Sequence, residues 1–183
     1  MLKIKFDQKY CFYHMSFEYR IHPNFPELDW LLLNFQINKL SAIYEIEVLA
    51  FVMMSTHCHL LLKSYKKSEN YFAHHLLKKI LPINNISDDF IDQNLLEPIT
   101  NQSQFLNTYK YIYRNPVEAK LAERCENYRF STLHSLLGKS ELIAKVSDPL
   151  SIIQNPLYVL SWLNQSERNY YTIKKNNFLN HST

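Results

Sequence analysis

Two short apolar segments separated by only two polar residues constrain this chain more than any other feature. "VLAFVMM" runs from Val48 to Met54 and "HCHLLLKS" from His57 to Ser64, with Ser55 and Thr56 between them. Each has the length and apolar content of a strand rather than a self-sufficient helix. So short a connection makes the two strands antiparallel neighbours. Residues two apart on a strand point to the same side, so His57 and His59 emerge together while Cys58 faces away. Imidazoles are costly to bury without partners. The pair is therefore either two half-exposed strand histidines or two ligands of one divalent ion. A structural zinc site would recruit Cys58, which alternation turns to the opposite side, and no CxxC or second histidine pair completes a tetrahedron nearby.

The rest of the chain builds a frame around this hairpin. "KYCFYHMSFEY" (Lys9–Tyr19) is aromatic and β-prone and reads as a first strand. Pro26 with Glu27 and Asp29 opens a long helix whose Leu28, Leu31, Leu32, Phe35, Leu40 and Ile43 approximate an apolar stripe. After the hairpin, "SENYFAHHLLKKIL" has a candidate N-cap in Ser68 and the apolar line Phe72–Leu76–Ile80, stopping at Pro82. A fourth strand fits near Leu95–Thr100. Ser103 then caps "QFLNTYKYIYRN", a helix expected to end before Pro116. A final helical piece begins at Leu157. The order β-α-β-β-α-β followed by helices predicts an α+β fold: a ferredoxin-like antiparallel sheet with helices on one face and a C-terminal helical extension.

Composition removes whole classes of function. The chain of 183 residues has one glycine, where average usage supplies about a dozen. Neither a Walker A loop nor a GxGxxG can exist, so no nucleotide cofactor is expected. Asparagine is expected to serve the turns that need φ > 0. Cys11, Cys58 and Cys125 lack CxxC spacing, and disulfides are not expected. No apolar run reaches the roughly 18 residues that span a bilayer, and the N-terminus is too polar for a secretory signal. A cytoplasmic protein with no membrane partner is the expectation. A net charge of +3 permits an anionic partner without requiring one.

"NTYKYIYRNPVEAKL" holds a second chemical pattern. On a helix, Gln104, Thr108, Tyr111 and Asn115 form a polar stripe, because residues four apart share a face. An amide oxygen is a hard ligand suited to Mg²⁺ or Mn²⁺, and a tyrosine hydroxyl is a potential nucleophile. An aromatic-rich core helix would show the same residues.

In order and spacing, the two patterns resemble a known family. "FVMMSTHCHLLLK" is similar to the HUH motif of single-strand DNA transposases, histidine–bulky apolar–histidine on a strand. "YIYRNPVEAKL" resembles the tyrosine-bearing motif of the REP-associated tyrosine transposases, and "NYRFSTLHSLLG" the segment that follows it there. The likeness runs from about Lys9 to Gly138. It implies a catalytic domain over 1–125 and a helical extension with a basic, aromatic tail over 126–183. It also implies His57, His59 and Asn115 as ligands of Mg²⁺ or Mn²⁺ and Tyr111 as the nucleophile. The implied reaction cuts and rejoins single-stranded DNA at hairpin ends through a 5′-phosphotyrosine, in a monomer or a homodimer.

Some residues depart from the family pattern. Ser55-Thr56 stand where the family has Pro-Asn, Glu118 where a basic residue is frequent, and Lys120 where glycine is common. A non-cleaving DNA-binding relative and an unrelated metallohydrolase built on the histidine pair are the alternatives. Expected DNA contacts are Lys78 and Lys79 in "HHLLKK", Arg114 beside Asn115, and Arg168, Lys174 and Lys175 in "SERNYYTIKKNNF". There, cations beside aromatic rings suit phosphates and stacked bases.

Overall fold

The computed structural model describes residues 10–18, 24, 26–80, 95–140 and 144–165. The elements are β1 (Cys11–Glu18), α1 (Pro26–Tyr44), β2 (Ile46–Met53), β3 (His57–Ser64), α2 (Glu69–Ile80), β4 (Leu96–Ile99), α3 (Gln102–Glu118), α4 (Thr132–Leu136) and α5 (Pro156–Asn164). The four strands form one antiparallel sheet in the order β2-β3-β1-β4. This is the ferredoxin-like βαββαβ arrangement. The tight β2–β3 connection at Ser55-Thr56 is closed by the Met54 amide donating to the His57 carbonyl at 2.8 Å.

Strand alternation divides the interior into two cores. Met15, Phe17, Cys58, Leu60 and Leu62 pack under α1 and α2 on one face. Phe12 and Leu61 face the other way, toward Phe105, Tyr109, Ile112 and Tyr113 of α3. The two helices of the βαββαβ unit therefore share one face, while α3, α4 and α5 cover the opposite one. Between Val48 and Ala50 a bulge shifts the register of β2. Beyond it, Phe51 and Met53 reach the first core, and Ala50 and Val52 the second.

Both sheet edges are protected from further pairing. Pro98, which cannot donate to a ladder, sits on edge strand β4. Along β2, the Ser147 amide donates to the Val48 carbonyl at 2.9 Å and the Met53 amide to the Phe130 carbonyl at 3.0 Å. Thr132 Oγ1 accepts from the Phe51 amide at 3.0 Å. Residues after 126 thus seal the sheet, and Leu133, Leu150, Ile152, Val159 and Leu163 complete the core beneath α3.

Four sequence expectations are corrected. Of the stripe expected to anchor α1 only Leu40 is buried; the rest is its outer face, with Leu28 64% exposed and Leu31, Leu32, Phe35 and Ile43 also exposed. The buried line is Trp30, Leu33, Ile37 and Leu40. The helix is apolar on nearly every side, so periodicity has two solutions. Trp30, stacked on Phe51 at 4.9 Å between ring centroids, selects the other one. Asn101, not Ser103, caps α3, its side chain accepting from the Gln104 amide at 2.9 Å. The same helix continues through Pro116 to Glu118. Finally, the described non-glycine residues with positive φ are Glu45, Lys67, Lys120 and Ser151, none of them asparagine. Asn101 caps a helix instead, and Asn164 accepts from the Cys125 amide at 3.0 Å. The three cysteines are free. Among the described residues, no helix is long and apolar enough to cross a membrane.

Candidate active site

Alternation on β3 directs His57 and His59 to the α3 side of the sheet and Cys58 to the α1/α2 core. Cys58 is fully buried there, and burial pushes its thiol far above the ordinary range. No zinc site can combine it with its two neighbours. On α3, Phe105, Tyr109, Ile112 and Tyr113 fill the core. The turn of the helix then leaves Tyr111 and Asn115 at the histidines, both half-buried. Tyr109 and Tyr113 are almost completely buried, so the helix is held rigidly by the neighbours of Tyr111.

Asn115 is the point of convergence. Its Nδ2 donates to His59 Nε2 at 2.9 Å, and its side chain lies near enough to His57 and Tyr111 to bias the protonation of both. The Tyr111 ring lies edge-on to His59, with centroids 5.4 Å apart. His57 and His59 are themselves edge-to-face at 4.8 Å, and Thr56 Oγ1 is 3.0 Å from His57 Nδ1. Burial lowers the pKa of His57, opposed by the Asn115 hydrogen bond and by the charge of Glu18 across the β1–β3 ladder. The imidazole is thus kept neutral near pH 7, the form that ligates metals. Burial raises the pKa of Tyr111, and Glu97 adds to the rise, while the Asn115 hydrogen bond opposes it. At neutral pH the phenol keeps its proton, so attack requires charge stabilisation in the transition state.

The same cluster includes groups that the sequence did not flag. His14 of β1 is only 5% exposed, with Nε2 3.1 Å from His59 Nδ1 and Nδ1 3.6 Å from Glu97 Oε2 of β4. The period-2 pattern of "CFYHMSFE" puts His14 in step with Phe12 and Ser16, but joining it to His59 requires the β1–β3 register. That ladder pairs Ser16 with His59 and His14 with Leu61. No sequence signal supplies it.

Other expected site residues lie elsewhere. Arg114 is not presented to a ligand: it is 9% exposed, bound to Glu118 and 3.4 Å from the Leu163 carbonyl. Glu118, where the resembled family frequently has a basic residue, is its partner. Together they tie α3 to α5. Lys78 and Lys79 are exposed at the end of α2, the helix covering the opposite face of the sheet from the histidines. Arg168, Lys174 and Lys175 fall outside the described residues. Lys120 occupies the left-handed region at φ 59°, just past the C-cap of α3, where a glycine would sit without strain.

A metal can be tested against these donors. Among the described residues, no three His, Cys, Asp or Glu side chains group for an ion, so an ion here would need the amide of Asn115 as its third protein donor. A half-turn of that amide exchanges Nδ2 for Oδ1. The amide lies 2.9 Å from His59 Nε2, and an amide oxygen with two imidazoles is a donor set that a hard divalent ion accepts, so the residues fit.

No family model and no curated protein matches the sequence. Among solved structures, the chain is similar to a REP-associated tyrosine transposase bound to a REP hairpin. The TM-score is 0.51 at 18% sequence identity, over 76% of this chain and 86% of that one. The chain shares that transposase's fold.

Proposed function

We propose that this chain is a transposase-like endonuclease that cuts and rejoins single-stranded DNA, with Tyr111 as nucleophile. One observation carries the reading: a single amide, Asn115, hydrogen-bonds His59 of β3 and bears on both His57 and the tyrosine hydroxyl one helical turn away. A core tyrosine has no need of such company.

His57, His59 and Asn115 would hold Mg²⁺ or Mn²⁺, which when bound would neutralise charge on the scissile phosphate. The chain's own residues do the rest. Tyr111 Oη attacks phosphorus, forming a tyrosyl–phosphate ester as the bond to the departing 3′ oxygen breaks. The phenolic proton passes to water, and the 3′ oxygen leaves as a hydroxyl. Attack by that or another 3′-OH reverses the step, so strand transfer needs no nucleotide hydrolysis. The rigid seating of α3 by Tyr109 and Tyr113 fixes the distance from hydroxyl to ligand amide, which is where much of the rate acceleration by orientation arises. The substrate on this reading is a hairpin end, in line with the similar transposase, which was solved on a REP hairpin.

The test is a denaturing gel of the full chain incubated with 5′-labelled and 3′-labelled single-stranded hairpins and Mn²⁺. The expected result is a covalent adduct carrying the 5′-phosphate on Tyr111. Hairpin binding with no adduct under any metal would replace this reading by the non-cleaving DNA-binding alternative.

A further inference from the structure

Behind His59 the structure continues as a chain of directional contacts, and we infer that Glu97 and His14 are positioning residues that set the tautomer of His59. The inference rests on the reading of His59 as a metal ligand, and it concerns which ring nitrogen is offered.

The tautomer is constrained from both ends of this relay. At one end, the Glu97 carboxylate can only accept. At 3.6 Å from His14 Nδ1 it is too far for a hydrogen bond, but it favours the tautomer with the proton on that nitrogen. His14 Nε2 is then a lone pair, and at 3.1 Å from His59 Nδ1 it requires the proton of His59 to be on Nδ1. His59 Nε2 is left bare. At the other end, the Asn115 Nδ2 donor lies 2.9 Å from that same Nε2, which is satisfied only if Nε2 is a lone pair. Both ends give one tautomer.

Burial makes the arrangement strict. His14 and His59 are 5% and 3% exposed, their rings edge to edge with centroids 5.2 Å apart and 26° between planes, so water is a poor substitute for either partner. The Tyr111 ring packs edge-on to His14 at 5.9 Å. Three strands contribute one member each and α3 two, and the bare nitrogen faces the Asn115 amide. Partners of this kind orient metal-binding imidazoles, and their loss typically lowers metal affinity by about 10–100-fold.

The test uses the full chain with ¹⁵N-labelled histidine, without metal, in long-range ¹H–¹⁵N spectra, followed by Mn²⁺ titration by EPR without DNA. The expected wild-type signature is a protonated Nδ1 and a bare Nε2 on His59. His14→Leu fills the space without an acceptor, and should mix the tautomers and weaken Mn²⁺ binding about 10–100-fold. His14→Gln restores an acceptor and should recover the tautomer, with affinity within about threefold of wild type. Glu97→Ala, at a half-exposed position, should shift the His59 signals toward the mixed state even if His14→Leu does not fold. A proton on Nε2 in wild type, or a tautomer unchanged in a folded His14→Leu protein, overturns the inference. The expected tautomer in a wild type that binds no Mn²⁺ supports the relay and refutes the metal reading of the site.

Discussion

Tyr111 and Tyr113 lie two residues apart on α3, and replacing each by phenylalanine should separate catalysis from stability. The Tyr113 hydroxyl is 2.9 Å from Thr132 Oγ1, with both side chains almost fully buried. Thr132 keeps its contacts with the Phe51 amide and carbonyl at 3.0 and 3.2 Å, so Tyr113→Phe leaves Thr132 satisfied, although the buried Tyr109 hydroxyl loses a polar neighbour. It removes one net hydrogen bond and leaves a small void, together about 1–2 kcal/mol. In a domain of this size that is a melting-point drop of roughly 3–6 °C. Tyr111 is only half-buried, and its hydroxyl meets the Asn115 amide, which retains His57 and His59. Tyr111→Phe should therefore shift stability by less than about 1 kcal/mol, yet abolish the covalent adduct. Thermal melts and a denaturing adduct gel run well below both midpoints read the two effects separately. Adduct in Tyr111→Phe, or its loss in a folded Tyr113→Phe protein, would refute the assignment of Oη111 as the attacking atom.

Chelation should stop cleavage, and added Mg²⁺ or Mn²⁺ should restore it. The same gel should show His57→Ala inactive under every metal. Lys120→Gly should relieve a left-handed residue at φ 59° and stabilise the fold by about 1 kcal/mol, seen as a higher urea midpoint at unchanged slope. His57 has its pKa lowered by burial. As pH falls from about 6.5 toward the shifted value, the unfolded chain takes up a proton that the folded chain does not. The contribution of His57 to stability is complete above that window and declines through it. Urea titrations should show the decline weakened in His57→Gln. Hairpin affinity should fall steeply with salt, and Lys78→Ala/Lys79→Ala should reduce the slope of log K against log salt only if DNA reaches around the sheet.

The parts of this molecule legible in the sequence are those set by local rules. A two-residue connection between apolar segments gave the hairpin, and strand alternation separated Cys58 from its flanking histidines. Helical spacing set Tyr111 beside Asn115. What was not legible depends on long-range choices. In α1 two apolar stripes compete, and the winner is decided by Phe51, which is brought to Trp30 by the sheet. His14 and Glu97 enter the site through strand register, which nothing in "CFYHMSFE" or "LEPI" encodes by itself. Arg114 reads as a free cation beside a catalytic motif, and only the docking of α5 reveals that Glu118 and the Leu163 carbonyl hold it.

The confinement of nucleophile and ligand amide to one helix bears on how such a chain can change its length over time. A residue inserted between Tyr111 and Asn115 would turn one of them about 100° around the axis and displace it about 1.5 Å along it. No adjustment elsewhere could return both, because the buried Tyr109 and Tyr113 fix the helix at the nucleophile. An insertion at Ser55-Thr56 has a different outcome: the β1–β3 and β2–β3 ladders keep His57 and His59 in register, and the extra residue bulges into solvent. The interval from Tyr111 to Asn115 thus acts as a fixed-length word, open to substitution and closed to insertion or deletion, whereas the hairpin turn before the histidines is free to lengthen.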